Sequence, residues 1–287
     1  KLSLSVQQAL DDRIVCSVVK GGKLSNRKSI NIPNFDIAMP YMSKADRDDL
    51  EFGLSMGVQY VAASFVRSED DVMMLRDYMD SLGYEEVEII SKIENRQGVR
   101  NIDEILSVSD GIMVARGDLG VEIPLQEVPL VQKDLIKKAS AACKPVITAT
   151  QMLESMVSNP RPTRAEVNDV ANAIFDGSDA IMLSGETAQG KYSVEAVATM
   201  ATIAETTEGS INYIKRLHMQ FAPEQVNNTT NAVSYAACTA AAELKTSCIA
   251  TITKTGFTAR TIAKYKPACP IAASSCDERV WRQLNLV

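Results

Sequence analysis

The chain has 287 residues, 46% hydrophobic, 23% charged and only 5% aromatic, the balance of a globular α/β protein too long for one average domain. Its formal net charge of −6 argues against nucleic acid as the main partner, since a phosphate backbone demands clustered lysine and arginine. No apolar run is long enough to cross a bilayer, no signal peptide opens the chain, and one histidine, His218, leaves no room for a histidine-based triad or a multi-histidine metal site.

Residues 1–33 read as β structure. Leu2-Ser3-Leu4-Ser5-Val6 alternates apolar with polar, as does a run near 14–19. Gly21-Gly22 supplies a turn, and Asn31-Ile32-Pro33-Asn34 ends the region. The pattern then changes to alternating strand and helix. Apolar runs at 60–66, 88–93, 111–115, 145–149 and 180–183 are predicted strands. Amphipathic segments separate them: Met73, Leu75, Tyr78 and Met79 form the apolar face of one, Leu135, Ile136 and Ala139 that of another, and Val167, Val170, Ala171 and Ile174 that of a third. A strand-to-strand spacing of roughly 23 to 35 residues predicts βα units with parallel strands. Beyond them the sequence predicts a helix over 193–213, a linker over 216–231, and a second α/β stretch. That stretch has a helix at 232–244, a strand at 249–252, a helix at 259–265 and a strand at 270–273. The six cysteines (Cys16, Cys143, Cys238, Cys248, Cys269, Cys276) form no CxxC pair and read as reduced thiols of a cytosolic protein.

Each of the five runs ends in polar residues: Ser64 and Arg67, Lys92 and Glu94, Arg116 and Asp118, Thr150 and Gln151, Ser184 and Glu186. Chemistry gathered at the C-terminal ends of successive parallel strands is the arrangement of a (β/α)8 TIM barrel. The competing doubly wound sheet would carry a Gly-rich phosphate fingerprint, which follows none of these strands. Five strands do not close a barrel of eight, so the sheet is open or three units are missing.

Because side chains alternate along a strand, Lys92 and Glu94 point to one side of its end. With Asp118 from the next strand, two carboxylates and a lysine suit a shared divalent cation and transfer of a phosphoryl group or handling of an enolate. The plain alternative is a surface pair worth under about 1 kcal/mol. Gly117 lets backbone N–H groups approach an anion without a Cβ in the way; a simple turn is the alternative. Thr150 is a strand-end cap or a hydroxyl that binds substrate. Asn159-Pro160-Arg161-Pro162-Thr163-Arg164-Ala165-Glu166 is a helix start whose arginines also have the reach to brace acidic groups nearby. Thr253, Lys254, Thr255, Gly256 and Thr258 link a strand to a helix N-terminus, either a phosphate cradle or a structural loop.

With these motifs in place the chain resembles the pyruvate kinase family. The matching segments are 87–99 with Ser-Lys-Ile-Glu-Asn, 113–120 with Ala-Arg-Gly-Asp-Leu-Gly, 149–156, 161–166 and 181–188, in the family's order, and the likeness covers essentially all 287 residues. The resemblance implies three regions: the end of a β lid domain at 1–33, about the last five βα units of a TIM barrel at 34–215, and part of a C-terminal α/β regulatory domain at 229–287. It implies a fragment lacking both ends of a longer polypeptide.

The same resemblance implies transfer of a phosphoryl group from phosphoenolpyruvate to ADP, giving pyruvate and ATP. Lys92 matches the lysine that stabilises the transferring group, and Glu94 and Asp118 match ligands of Mg2+ or Mn2+. Gly117, Asp118 and Thr150 match the substrate carboxylate site. Lys28 matches a lid lysine near the nucleotide, although Ser29 stands where the family usually has glycine. The 253–258 loop is similar to the phosphate-binding loop of members activated by a sugar phosphate, fructose 1,6-bisphosphate. K+, with ligands outside this chain, a homotetramer and a cytoplasmic location are further expectations of the family. Two alternatives stay open: a Mg2+-dependent lyase or aldolase acting on the same kind of enolate, and a truncated, non-catalytic chain.

Overall fold

A computed structural model describes residues 2–24, 26, 30, 32, 39–220 and 229–287. The chain divides into two compact units, Lys1–Ile32 and Pro33–Val287.

The first unit holds an antiparallel pair, β1 (Ser3–Ala9) and β2 (Ile14–Lys20), with register shifts between Ser3 and Leu4 and between Val6 and Gln8. The connection is the tight loop at 10–13, closed by the Leu10 N–H donating to Arg13 O at 2.8 Å. Gly21-Gly22 directly follows β2.

The second unit is built on five parallel strands: β3 (Tyr60–Ala63), β4 (Glu88–Ile93), β5 (Gly111–Ala115), β6 (Val146–Ala149) and β7 (Ala180–Met182). They pair in strict chain order, β3-β4-β5-β6-β7. A doubly wound sheet reverses its strand order at a switch point, whereas a barrel wall does not. The helices in chain order are α1 (Lys44–Ser55), α2 (Glu69–Ser81), α3 (Arg96–Arg100), α4 (Ile102–Val108), α5 (Arg116–Glu122), α6 (Val128–Ala141), α7 (Arg164–Asp176), α8 (Gly185–Ala188) and α9 (Ser193–Glu208).

Alternation along the strands explains the layering. Ile89, Ile93, Ile112, Val114 and Val146 face the main core with Leu54 of α1, Val72, Leu75 and Met79 of α2, Ile102 and Ile105 of α4, and Leu135 and Ile136 of α6. Ile90, Met113, Ala115 and Ala149 form a smaller cluster with Tyr60, Ile147 and Met182. Lys92, two residues past Ile90, therefore belongs to the side away from those helices, as the inward side of a barrel wall requires. On α2 the buried apolar positions are Val72, Leu75 and Met79, whereas Met73, expected inside, is exposed.

Reciprocal capping boxes set two helix starts: Ser43 with Asp46 on α1, and Thr163 with Glu166 on α7. Helix α9 ends at Gly209 rather than running to 213. A further helix, α10 (Tyr213–Gln220), occupies the first part of the expected linker, and 221–228 lie outside the described residues.

The remaining elements are α11 (Thr229–Leu244), β8 (Ile249–Ile252), α12 (Phe257–Lys264), β9 (Ile271–Ser274) and α13 (Glu278–Gln283), with β8 and β9 parallel. Strand β9 starts one residue later than expected, at Ile271, and the Pro270 carbonyl accepts from Ile249 N–H at 3.0 Å. Among the described residues no helix is long and apolar enough to cross a membrane.

Candidate active site

Strand β3 stops at Ala63, earlier than the apolar run to Val66 predicts, because Phe65 adopts a left-handed backbone with φ 53°. That turn sends the Phe65 N–H to Glu94 Oε2 at 2.7 Å. The second oxygen of Glu94, Oε1, lies 2.8 Å from Lys92 Nζ, with the Glu94 side chain 1% exposed and that of Lys92 24% exposed. Lys92 also donates to Ser64 Oγ at 2.8 Å. The two residues chosen from strand spacing are thus brought together, and Ser64 completes the lysine's setting.

Asn95 fixes the exit of β4. Its Oδ1 caps α3 by accepting from Gly98 N–H at 2.7 Å, and its Nδ2 donates to Val66 O at 3.2 Å. Gly98 is required by space: a Cβ there would meet Val66 O at 2.6 Å. Tyr41, which carried no periodic signal in the sequence, donates its hydroxyl to Ser64 O at 3.0 Å. Burial pushes its phenol pKa up, and the nearby Asp71 and Glu94 charges push it further in that direction, so it stays a donor.

On the neighbouring strand the parallel register pairs Ile93 with Val114, which sets Glu94 level with the end of β5. Residues 116–118 do not form a loop: α5 begins at Arg116. Asp118 is exposed in its first turn. The Gly117 N–H donates to Thr150 Oγ1 at 2.7 Å, and that hydroxyl donates to Ala149 O at 2.6 Å. Thr150 and Gln151 both take left-handed backbones, φ 71° and 55°, a conformation rare for a β-branched residue. The structure therefore joins Gly117 to Thr150 across two strand ends, and holds Lys92 to Glu94 on a third.

The segment after Thr150 is braced by carboxylates rather than by arginines. The buried Glu186 accepts from Leu153 N–H at 3.0 Å and Ser184 N–H at 2.8 Å. Glu166 accepts from Ser155 N–H at 2.7 Å and Ser155 Oγ at 2.6 Å. Arg161 and Arg164, offered by the sequence as a brace for acidic groups nearby, are exposed.

Glu94 directly follows β4 and Asp118 lies in the first turn after β5; these are the two carboxylates expected to hold a cation. Among the described residues no three His, Cys, Asp or Glu side chains converge. That donor set fits Mg2+, which binds through one or two carboxylates and completes its shell with substrate and water.

Lys28 lies outside the described residues. Of the 253–258 segment, residues 253–256 link β8 to α12, and Thr258 is half-buried in the first turn of α12. Thr253 is buried and its N–H donates to Ser274 O at 2.9 Å, while Lys254 and Thr255 are exposed. Gly256, at φ 81°, precedes α12, and a Cβ there would lie 3.3 Å from Leu284 Cδ2.

A sequentially ordered parallel sheet, helices packed on one face and polar side chains gathered at the strand ends together define a protein of the barrel class. Comparison with known proteins narrows the class. The pyruvate kinase barrel-domain pattern matches residues 1–197, and the pyruvate kinase alpha/beta-domain pattern matches residues 231–287. The chain is 52% identical over 285 residues to a pyruvate kinase of Clostridium acetobutylicum, covering 99% of this chain and 60% of the relative. It is 54% identical over 270 residues to a pyruvate kinase of Sporosarcina psychrophila, covering 94% of this chain and 46% of the relative. It is also 48% identical over 272 residues to pyruvate kinase 1 of Saccharomyces cerevisiae, covering 94% and 54%. The chain belongs to the pyruvate kinase family. It spans about half of the length of these relatives.

Proposed function

We propose that the protein transfers the phosphoryl group of phosphoenolpyruvate to ADP, giving ATP and pyruvate. The observation that carries this reading is the position of Lys92 Nζ, 2.8 Å from both Glu94 Oε1 and Ser64 Oγ, at a parallel strand end. A fixed ammonium there offsets the negative charge of a loose phosphoryl transition state without reorganising. Glu94 and Asp118 would hold Mg2+ or Mn2+. The cation, when bound, supplies Lewis-acid charge stabilisation to phosphate and enolate oxygens.

The Gly117 and Asp118 amides and the Thr150 hydroxyl take the substrate carboxylate, and Thr150 helps place the water that protonates the enolate carbon. Lys28 is assigned to nucleotide binding by the family resemblance alone. The segment with Thr253, Lys254, Thr255, Gly256 and Thr258, of which Lys254 and Thr255 are exposed, receives a phosphate of a sugar-phosphate effector. The domain division at 1–33, 34–215 and 229–287, dependence on K+, a homotetrameric assembly and a cytoplasmic location belong to the same reading.

The test is turnover of phosphoenolpyruvate by the full-length protein with and without ADP. Pyruvate formation that requires ADP and Mg2+, with one ATP formed per pyruvate, is the expected result. Cleavage or condensation without nucleotide would overturn the proposal in favour of a lyase or aldolase.

A further inference from the structure

We propose that Arg116 is a positioning residue that holds Thr150 in its left-handed conformation and thereby fixes where the Thr150 hydroxyl sits at the strand ends. The inference rests on the role given to Thr150 above. Arg116 opens α5 and is nearly buried, at 8% exposure. Its guanidinium donates to Thr150 O at 2.6 Å through Nη2 and to Ala149 O at 3.3 Å through Nε. Nη1 donates to Asp169 Oδ1 of α7 at 2.7 Å and to Gln132 Oε1 of α6 at 3.3 Å. One planar fork thus takes two consecutive carbonyls of the Thr150 turn and anchors itself on two helices.

The physical need for such a clamp lies in the backbone. A non-glycine residue held in a sparsely populated region costs on the order of 1–3 kcal/mol and persists only where its surroundings over-determine it. Thr150 and Gln151 are two such residues in succession. At this reversal the guanidinium receives the carbonyls of 149 and 150. The next residue, Gly117, contacts the same threonine from its other side, by the 2.7 Å bond to Oγ1. Arg116 and Gly117 together therefore fix both the backbone and the hydroxyl of Thr150. A lysine cannot substitute, because one ammonium lacks the fork that spans two carbonyls and a carboxylate in a plane.

The test is a double-mutant cycle in the full-length protein. Arg116→Lys is expected to lower kcat on the order of 10²-fold, the scale of a misplaced group, while KM for phosphoenolpyruvate changes much less. In a Thr150→Ala background the same substitution is expected to lower kcat by less than about 3-fold, because the group it positions is already gone. Multiplicative effects, or an Arg116→Lys enzyme within about 2-fold of wild type, would overturn the proposal.

Should Arg116→Lys fail to fold, Asp169→Asn, which loosens the anchor and leaves the guanidinium in place, runs through the same cycle with the same two outcomes. Hydrogen exchange at the Gly117 amide reads the geometry without turnover. Loosening the clamp is expected to speed exchange at least about 10-fold, and unchanged protection would count against it. A wild-type protein that fails to turn over phosphoenolpyruvate and ADP contradicts the proposed function alone, and the exchange measurement still decides the role of Arg116.

Discussion

Lys92 and Glu94 form an ion pair of 2.8 Å in which the carboxylate is 1% exposed and the ammonium 24%. A pair this enclosed is weak evidence for stability, since desolvation offsets most of the Coulomb gain. Its geometry explains itself better as chemistry held ready. The carboxylate keeps a backbone donor, Phe65 N–H, on its other oxygen, and the lysine keeps Ser64 Oγ.

Glu94→Gln preserves the shape and still accepts from Phe65 N–H, but it removes a charge from the cation site. Mn2+ binding, followed by spectroscopic titration of the full-length protein, is expected to weaken at least about 10-fold. Asp118→Asn is expected to weaken Mn2+ comparably while stability stays within about 0.5 kcal/mol, because Asp118 is exposed. Unchanged Mn2+ affinity in both variants would remove these residues from the metal site.

Gly98→Ala tests how the strand exit is built. The new Cβ would sit 2.6 Å from the Val66 carbonyl, which itself accepts from Asn95, so backbone has to move. The expected cost is about 1–3 kcal/mol, as for other overpacked sites, read from the midpoint of urea unfolding. An alanine variant as stable as wild type would contradict the packing described at 66–98.

Glu166 gives the protein an acid-sensitive brace. Burial pushes its pKa up, but hydrogen bonds from Ser155 and Thr163 outweigh this and hold it below the ordinary value. A carboxylate with a depressed folded pKa contributes stability that is present above its unfolded value of about 4.3. That contribution is lost as pH falls through the folded value. Glu166→Gln is therefore expected to flatten the fall of melting temperature between about pH 5 and pH 3. An acid limb identical to wild type would show that Glu166 carries none of it.

Much of this architecture is legible in local sequence. The β-branched runs at 88–93 and 111–115 coincide with β4 and β5, because a buried parallel strand is apolar on both faces. The spacing of two between Lys92 and Glu94 was enough to pair them. The missing parts are those that depend on distant partners or unusual backbone. Phe65 reads as the end of an apolar strand, yet its left-handed φ of 53° makes it the Glu94 donor. Arg116 reads as one more polar strand end, and its partner Asp169 lies 53 residues away, beyond any periodic signal. Glu166 reads as part of a helix start and Glu186 as a polar strand end, yet they brace the segment after Thr150, since free backbone N–H groups there call for acceptors.

The most direct test of the account is Lys92→Met in the full-length protein, assayed with phosphoenolpyruvate, ADP and Mg2+. The substitution removes the ammonium and keeps a flexible side chain of similar length. The account predicts a loss of kcat of at least about 10³-fold, with phosphoenolpyruvate still bound and the fold preserved by circular dichroism. Turnover close to wild type would contradict it.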